Sequence, residues 1–147
     1  MLWASIAIVA VLAWIVFVEV NKSPYNTSRD GFVRKGPNSA DIAHYGGLDD
    51  TPRFRLRKAI TVTDSVELSK LVDELNALPP APTGTMYCPL DDGSYYLIVV
   101  RYLNGGDITI KATSGCEVLY LVPSNRAVAW AATTPGFYPL LAGLLGE

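Results

Sequence analysis

Residues 95–113, YYLIVVRYLNGGDITIKAT, form the stretch of sequence that decides the fold. Residues 95–103 are apolar on both faces except at Arg101, which is typical of a strand inside a sheet. The Asn-Gly-Gly sequence at 104–106 predicts a tight turn, and residues 107–113 then alternate in polarity as a second strand does. Together these features predict an antiparallel β-hairpin.

A three-residue loop sets the register that we expect for this hairpin. It places Val100 opposite Ile110 on one face and Arg101 opposite Thr109 on the other, so apolar and polar side chains are well separated. In the same register Cys116 lies near the end of the hairpin where the preceding chain enters.

The segment before the hairpin, residues 64–80, predicts an amphipathic helix. Asp64 is a suitable N-cap with Glu67 at the capping-box position, and Pro79 and Pro80 end the helix. The apolar residues recur at helical spacing on one stripe, namely Leu68, Leu71, Val72, Leu75 and Leu78.

Four further segments complete the predicted fold. Residues 53–63, 117–122 and 127–131 read as strands, and residues 137–145 read as a short helix. This second helix is expected to begin either with Thr134 as cap and Pro135 first, or with Tyr138 as cap and Pro139 first. The fold class is therefore α+β, with an antiparallel sheet of four to five strands and two helices on one face.

The N-terminus predicts a membrane anchor. Residues 2–18, LWASIAIVAVLAWIVFV, are uncharged and apolar, and at 1.5 Å per residue they span roughly 25 Å, close to the hydrocarbon thickness. No A-x-A-like cleavage site follows, so we expect residues 1–20 to be an uncleaved single-pass transmembrane helix, with a cleaved signal as the alternative. Residues 21–52 predict a polar stalk and residues 53–147 the globular domain.

Two signals bear on which side of the membrane the domain occupies. Basic residues after the apolar run favour the cytoplasmic side, namely Lys22, Arg29, Arg34 and Lys35. Against this, the domain is small and has two cysteines, Cys88 and Cys116, and an even number of cysteines suggests a disulfide. Two buried free thiols are the alternative. We expect the cell membrane as location, with the C-terminal domain outside the cytoplasm.

The first predicted strand carries a basic stripe. Strand alternation puts Phe54, Leu56, Ile60 and Val62 on one face and three arginines on the other, so that the stripe consists of Arg53, Arg55 and Arg57 with Lys58 adjacent. Such a stripe is a candidate contact for anionic headgroups or an acidic envelope polymer. The alternative is a solvated face or a charged edge that discourages strand pairing.

Tyrosines suggest a second candidate site. A sheet face rich in tyrosine provides stacking surface and hydroxyls for a small ligand, and the candidate pocket residues are Tyr87, Tyr95, Tyr96, Tyr102 and Tyr120. Ordinary core and sheet-face packing is the alternative interpretation of these tyrosines. His44, the only histidine, lies in a polar segment and is expected to be solvated without a ligand role.

Proline, glycine and cysteine landmarks point to a family. The string LNALPPAP at 75–82, the CPLDDG sequence at 88–93, a Tyr-rich strand and then Gly115-Cys116 resemble an uncharacterised family of small bacterial extracytoplasmic domains. Members of this family follow a signal peptide, a lipid anchor or one membrane helix. Over residues 60–145 the resemblance implies a Cys88–Cys116 disulfide and an exterior location. It brings no catalytic residues, and this chain lacks the lipidated cysteine of a lipoprotein version.

Several function classes are disfavoured by the sequence. A net charge of −2 argues against a nucleic-acid partner, and no hydrolase, zinc-protease or nucleotide-binding motif occurs. The pairs Asp49-Asp50 and Asp91-Asp92 lack the alternating spacing of calcium ligands, so no metal or cofactor is expected. We therefore expect a membrane-tethered, non-enzymatic interaction module that contacts an unknown envelope protein or anionic surface. A small-ligand-binding or sensor domain is the alternative.

Overall fold

Six strands and two helices make up the chain over residues 31–88 and 91–147, the parts that this computed structural model describes. All six strands form one antiparallel sheet in the order β2-β1-β3-β4-β5-β6. The α+β class is confirmed, while the expected four to five strands become six. The elements are β1 Ser39–Tyr45, β2 Leu56–Val62, α1 Ser65–Ala77, β3 Tyr95–Arg101, β4 Ile108–Thr113, β5 Val118–Val122, β6 Arg126–Trp130 and α2 Phe137–Leu145.

Strand β1 corrects the expected domain boundary. It pairs with both β2 and β3, although it lies within residues 21–52, which were expected to form a stalk. Ala40 and Ile42 are fully buried, and so is Val33 before the strand. The packed domain therefore extends back to at least Val33 and does not begin at residue 53. The sequence SADIAHY has little strand character of its own, and two flanking strands supply its hydrogen bonds.

The core lies between one face of the sheet and both helices, as the sequence predicted. Ile42, Ile98 and Ile110 stand side by side on neighbouring strands and are fully buried. The helices cover them with a shared set of buried residues, which includes Leu68, Leu71, Val72, Leu75, Phe137, Leu141 and Leu145. Each such side chain contributes roughly 1.5–3 kcal/mol on burial, so this cluster holds the helices on the sheet.

The β3–β4 hairpin has the predicted face pattern but a different register. Val100 pairs with Ile108, whereas the three-residue loop predicted Ile110 as its partner. The loop is longer because the Asp107 carboxylate accepts a hydrogen bond from the Tyr102 N–H at 3.1 Å, while Gly105 N–H donates to the Tyr102 carbonyl. A slip of two residues preserves which side chains face the core, since the side-chain period of a strand is two.

The two helices differ in how well their starts were predicted. Asp64 caps α1 and accepts hydrogen bonds from the N–H groups two and three residues later. Helix α2 begins at Phe137 after Gly136, so both expected starts, at Thr134 and Tyr138, were wrong. Pro139 lies within the first turn of α2, where its missing N–H removes no intrahelical hydrogen bond.

The expected anchor at residues 1–20 and the basic residues Lys22 and Arg29 lie outside the described residues. Among the helices of residues 31–88 and 91–147, none has the length and apolar character needed to cross a bilayer.

Candidate functional site

The four residues of the predicted basic stripe lie at one edge of the sheet, and we call this group the basic edge: Arg53, Arg55, Arg57 and Lys58. Strand β2 begins only at Leu56, and Phe54 has a positive φ of 55°. The chain is therefore not a strand over residues 53–55, and the three arginines do not form one row along a strand.

Two members of the basic edge are held by neighbouring groups. Arg57 donates from Nε and Nη2 to the two oxygens of Asp50 at 2.9 and 2.7 Å, and these hydrogen bonds keep the pKa of the Asp50 carboxyl below its usual value. Lys58 Nζ donates to the Gly146 carbonyl at 2.9 Å. Within the described residues Arg53 and Arg55 are exposed and have no such partner. They are therefore the members of the basic edge that can contact another molecule.

The two edges of the sheet are finished differently. At the β6 edge, Pro80 bridges Ala129, and the Trp130 N–H donates to the Pro79 carbonyl at 2.9 Å. At the other edge, β2 has β1 as its one strand partner in the part of the chain that the structure describes. Six of the seven residues of β2 are exposed. An edge of this kind presents N–H and C=O groups to which another strand can pair.

Apolar side chains lie along the same open edge. Ile60 is opposite the buried Ile42 and so belongs to the helix side of the sheet, yet it is 39% exposed. Leu56 is 52% exposed, and beyond a bulge in the pairing it lies opposite Tyr45, on the other face of the sheet. The sequence had placed both residues on one face of a regular strand, and the bulge separates them. Helix α2 does reach β2, where Lys58 Nζ bonds to the Gly146 carbonyl and Val62 is buried, but it leaves Ile60 partly uncovered.

His44 occupies a different environment from the one expected. It lies on β1 and is only 9% exposed, stacked on Tyr96 with ring centroids 4.4 Å apart. Its Nδ1 lies 3.0–3.1 Å from the carboxylate oxygens of Glu147. Burial raises the pKa of the Tyr96 hydroxyl. The expectation of a solvated histidine was wrong, and the contact instead joins Glu147 to β1, the strand next to the β2 edge.

The five candidate pocket tyrosines do not line a common cavity. Tyr96 faces the helices, whereas Tyr95 lies on the opposite face, stacked on Tyr45 at 4.9 Å with Lys111 over its ring. Tyr102 donates from its hydroxyl to the Arg34 carbonyl at 2.7 Å. The remaining two are separate again, with Tyr120 half-buried on β5 and Tyr87 91% exposed.

Cys88 and Cys116 form a disulfide with their Cα atoms 5.2 Å apart, which replaces the alternative of free thiols. The bond lies in an open depression beside Met86, Tyr87 and Trp130. It ties Cys88, which precedes β3 in the chain, to the turn after β4. Its position at this end of the hairpin agrees with the sequence expectation.

Comparisons with protein-family models, curated proteins and solved structures found no match. Function is therefore inferred from the geometry of the chain itself. Sequence reasoning had identified the basic residues and had offered a charged sheet edge as one interpretation of them, but it had not identified the exposed β2 backbone as a contact site. Pro79 and Pro80 were a partial signal of which sheet edge is covered. They were interpreted only as the end of α1, although they also cover β6.

Proposed function

We propose that this protein is a membrane-tethered, non-enzymatic interaction module outside the cytoplasm, and that it contacts an envelope protein through the open β2 edge. The observation that carries the proposal is the outer side of β2, which no strand of the described residues covers, with two exposed arginines, Arg53 and Arg55, just before it. The apolar run at residues 2–18 supports the tether. The disulfide supports an oxidising compartment, as does the resemblance to extracytoplasmic bacterial domains.

A protein partner is favoured over an anionic lipid or polymer surface. Electrostatic contact with a membrane surface typically uses clusters of four or more freely presented basic residues. Here Arg57 is paired with Asp50, and Lys58 is bonded to a backbone carbonyl. The open backbone of β2, in contrast, is a feature that only another polypeptide can complete with regular hydrogen bonds.

Site-specific photo-crosslinking in intact cells tests the contact with a partner. A photoreactive residue replaces Arg55 in the full chain, and the matched control replaces Lys70, an exposed basic residue on α1. We expect a discrete adduct from position 55 and none from position 70. Adduct yield should fall in a chain that also carries Arg53→Glu. Equal adducts at both positions, or none at either, would contradict the proposal.

Thiol labelling tests the location independently. Cys88 and Cys116 are the only cysteines of the chain, so a membrane-impermeant maleimide reports on them alone. We expect labelling of intact cells only after reduction. Labelling that requires lysis would place the domain in the cytoplasm and overturn the extracytoplasmic part of the proposal.

A further inference from the structure

We infer that the partner binds by adding an extended, acidic segment to β2 as a seventh strand of the sheet. This inference rests on the proposed function, because it specifies what occupies the edge through which the module makes contact. Three features of the edge carry it: its backbone, its charge and its exposed apolar side chains.

The backbone of β2 is suited to strand addition. Its pairing with β1 runs from Leu56 to Val62 and uses the groups on one side of the strand. In an edge strand the alternate N–H and C=O groups point away from the sheet, and a second strand can satisfy them. The opposite edge is covered by the chain through Pro79 and Pro80. Strand addition is thus open at β2 and restricted at β6 within the described residues.

The charge of the edge selects an acidic partner. The basic edge holds four cations, and Asp50 balances one of them through its ion pair with Arg57. Arg53 and Arg55 lie just before β2, so carboxylates on a strand beside the start of β2 would come within reach of their guanidinium groups. Opposite charges on neighbouring strands stabilise pairing, whereas like charges oppose it.

The apolar residues define the pattern of the added strand. Ile60 lies on the helix side of β2, and it is 39% exposed although Val62, two residues later, is buried. An added strand would lay its own helix-side residues against this part of β2, so every second residue of the segment should be apolar. Because side chains alternate between faces, the intervening positions are free to carry Asp or Glu. The segment is therefore expected to alternate apolar and acidic residues.

A second copy of this chain fits the edge poorly. An antiparallel pairing of two β2 strands about Ala59 would place Lys58 opposite Ile60 and Arg57 opposite Thr61. The basic edges of both copies would then lie along one short ribbon, and the Asp50 carboxylates are already engaged by Arg57 within each copy. An acidic segment avoids this repulsion.

The test uses the full chain in detergent micelles and fluorescent peptides of alternating valine and glutamate. The matched controls are a valine–lysine peptide of equal length and a valine–glutamate peptide that is N-methylated at every residue. We expect the acidic peptide to bind at least tenfold more tightly than either control, and less tightly as salt is raised. Arg53→Glu with Arg55→Glu should reverse the preference, and both positions are exposed.

Amide hydrogen exchange distinguishes strand addition from simple charge attraction. The acidic peptide should slow exchange of β2 amides that are fast in the free protein. Three results would overturn the inference: equal binding of the valine–glutamate and valine–lysine peptides, no binding of the valine–glutamate peptide at millimolar concentration, or binding without protection of the β2 amides. Slow exchange of the β2 amides in the absence of peptide would also overturn the inference. Dilution would then remove the protection if a second copy covers the edge, and leave it unchanged if another part of the same chain does. A cross-link at position 55 without peptide binding would leave the proposed function standing and remove only the added strand.

Discussion

Removing the disulfide should lower the free energy of unfolding by about 3.6 kcal/mol. The perturbation is Cys88→Ala together with Cys116→Ala in the full chain. The two cysteines are 28 residues apart, and the chain-entropy model assigns that loop about 12 cal/mol/K, or about 3.6 kcal/mol at room temperature. Small domains are stable by only about 5–15 kcal/mol, so the bond is a large part of the total.

The effect should arise mainly in the unfolded state. Both cysteines are only partly buried beside an open depression, so their replacement removes few packing contacts. Without the cross-link the unfolded chain is more expanded and exposes more surface. The dependence of unfolding free energy on denaturant should therefore become steeper in the variant, since that slope scales with the surface exposed on unfolding.

Urea titration in detergent micelles, followed by far-ultraviolet circular dichroism, measures both quantities. The reduced wild-type protein is the matched control, because it lacks the bond but keeps both side chains. It should match the double-alanine variant in midpoint and slope. A loss below about 1 kcal/mol in both samples, with an unchanged slope, would refute the view that the bond constrains the unfolded chain.

Three further predictions concern local packing and charge. Gly115→Ala would bring a Cβ into clash with the facing turn, so we expect a lower melting temperature and free thiol in a thiol assay; an unchanged protein would contradict this. Gly143→Ala, with open space around its site in α2, should instead stabilise the protein by about 1 kcal/mol in urea titration, and a loss would contradict the exposed helical position. The pKa of Asp41 is lowered by hydrogen bonds from Thr61 and then Arg101, so its contribution is present above the unfolded pKa of about 4 and is lost as pH falls through the folded pKa. The stability difference between wild type and Asp41→Asn should therefore shrink in titrations below about pH 4, and a constant difference would refute this assignment.

The elements that were predicted well are those whose information is local. Helix α1 has its cap at Asp64, its apolar stripe and its terminating prolines within one short segment, and it formed as expected. The face pattern of the β3–β4 hairpin was also correct, since alternation survives a slip of two residues. The register was not, because the loop length depends on the hydrogen bond from Tyr102 N–H to Asp107.

The elements that were missed depend on partners distant in sequence. Strand β1 exists because β2 and β3 flank it, and nothing in residues 39–45 alone predicts that arrangement. The same dependence explains His44, whose burial requires Tyr96 and Glu147. For the candidate site, the sequence identified the basic residues but could not tell that Arg57 is paired, because Asp50 reaches it through a loop.

Backbone hydrogen bonds connect the region of the disulfide with the open edge, so loss of the disulfide should affect the edge. Cys88 precedes the turn at residues 91–93, and the Asp92 carbonyl accepts a hydrogen bond from Leu48 N–H at 2.7 Å. From there the Gly47 carbonyl accepts from Phe54 N–H at 3.3 Å, between the two exposed arginines. The disulfide thus helps to hold the loop that positions the start of β2. Removing it should weaken binding of an acidic strand even under conditions where the domain remains folded, whereas unchanged binding would show that the edge is held by β1 alone.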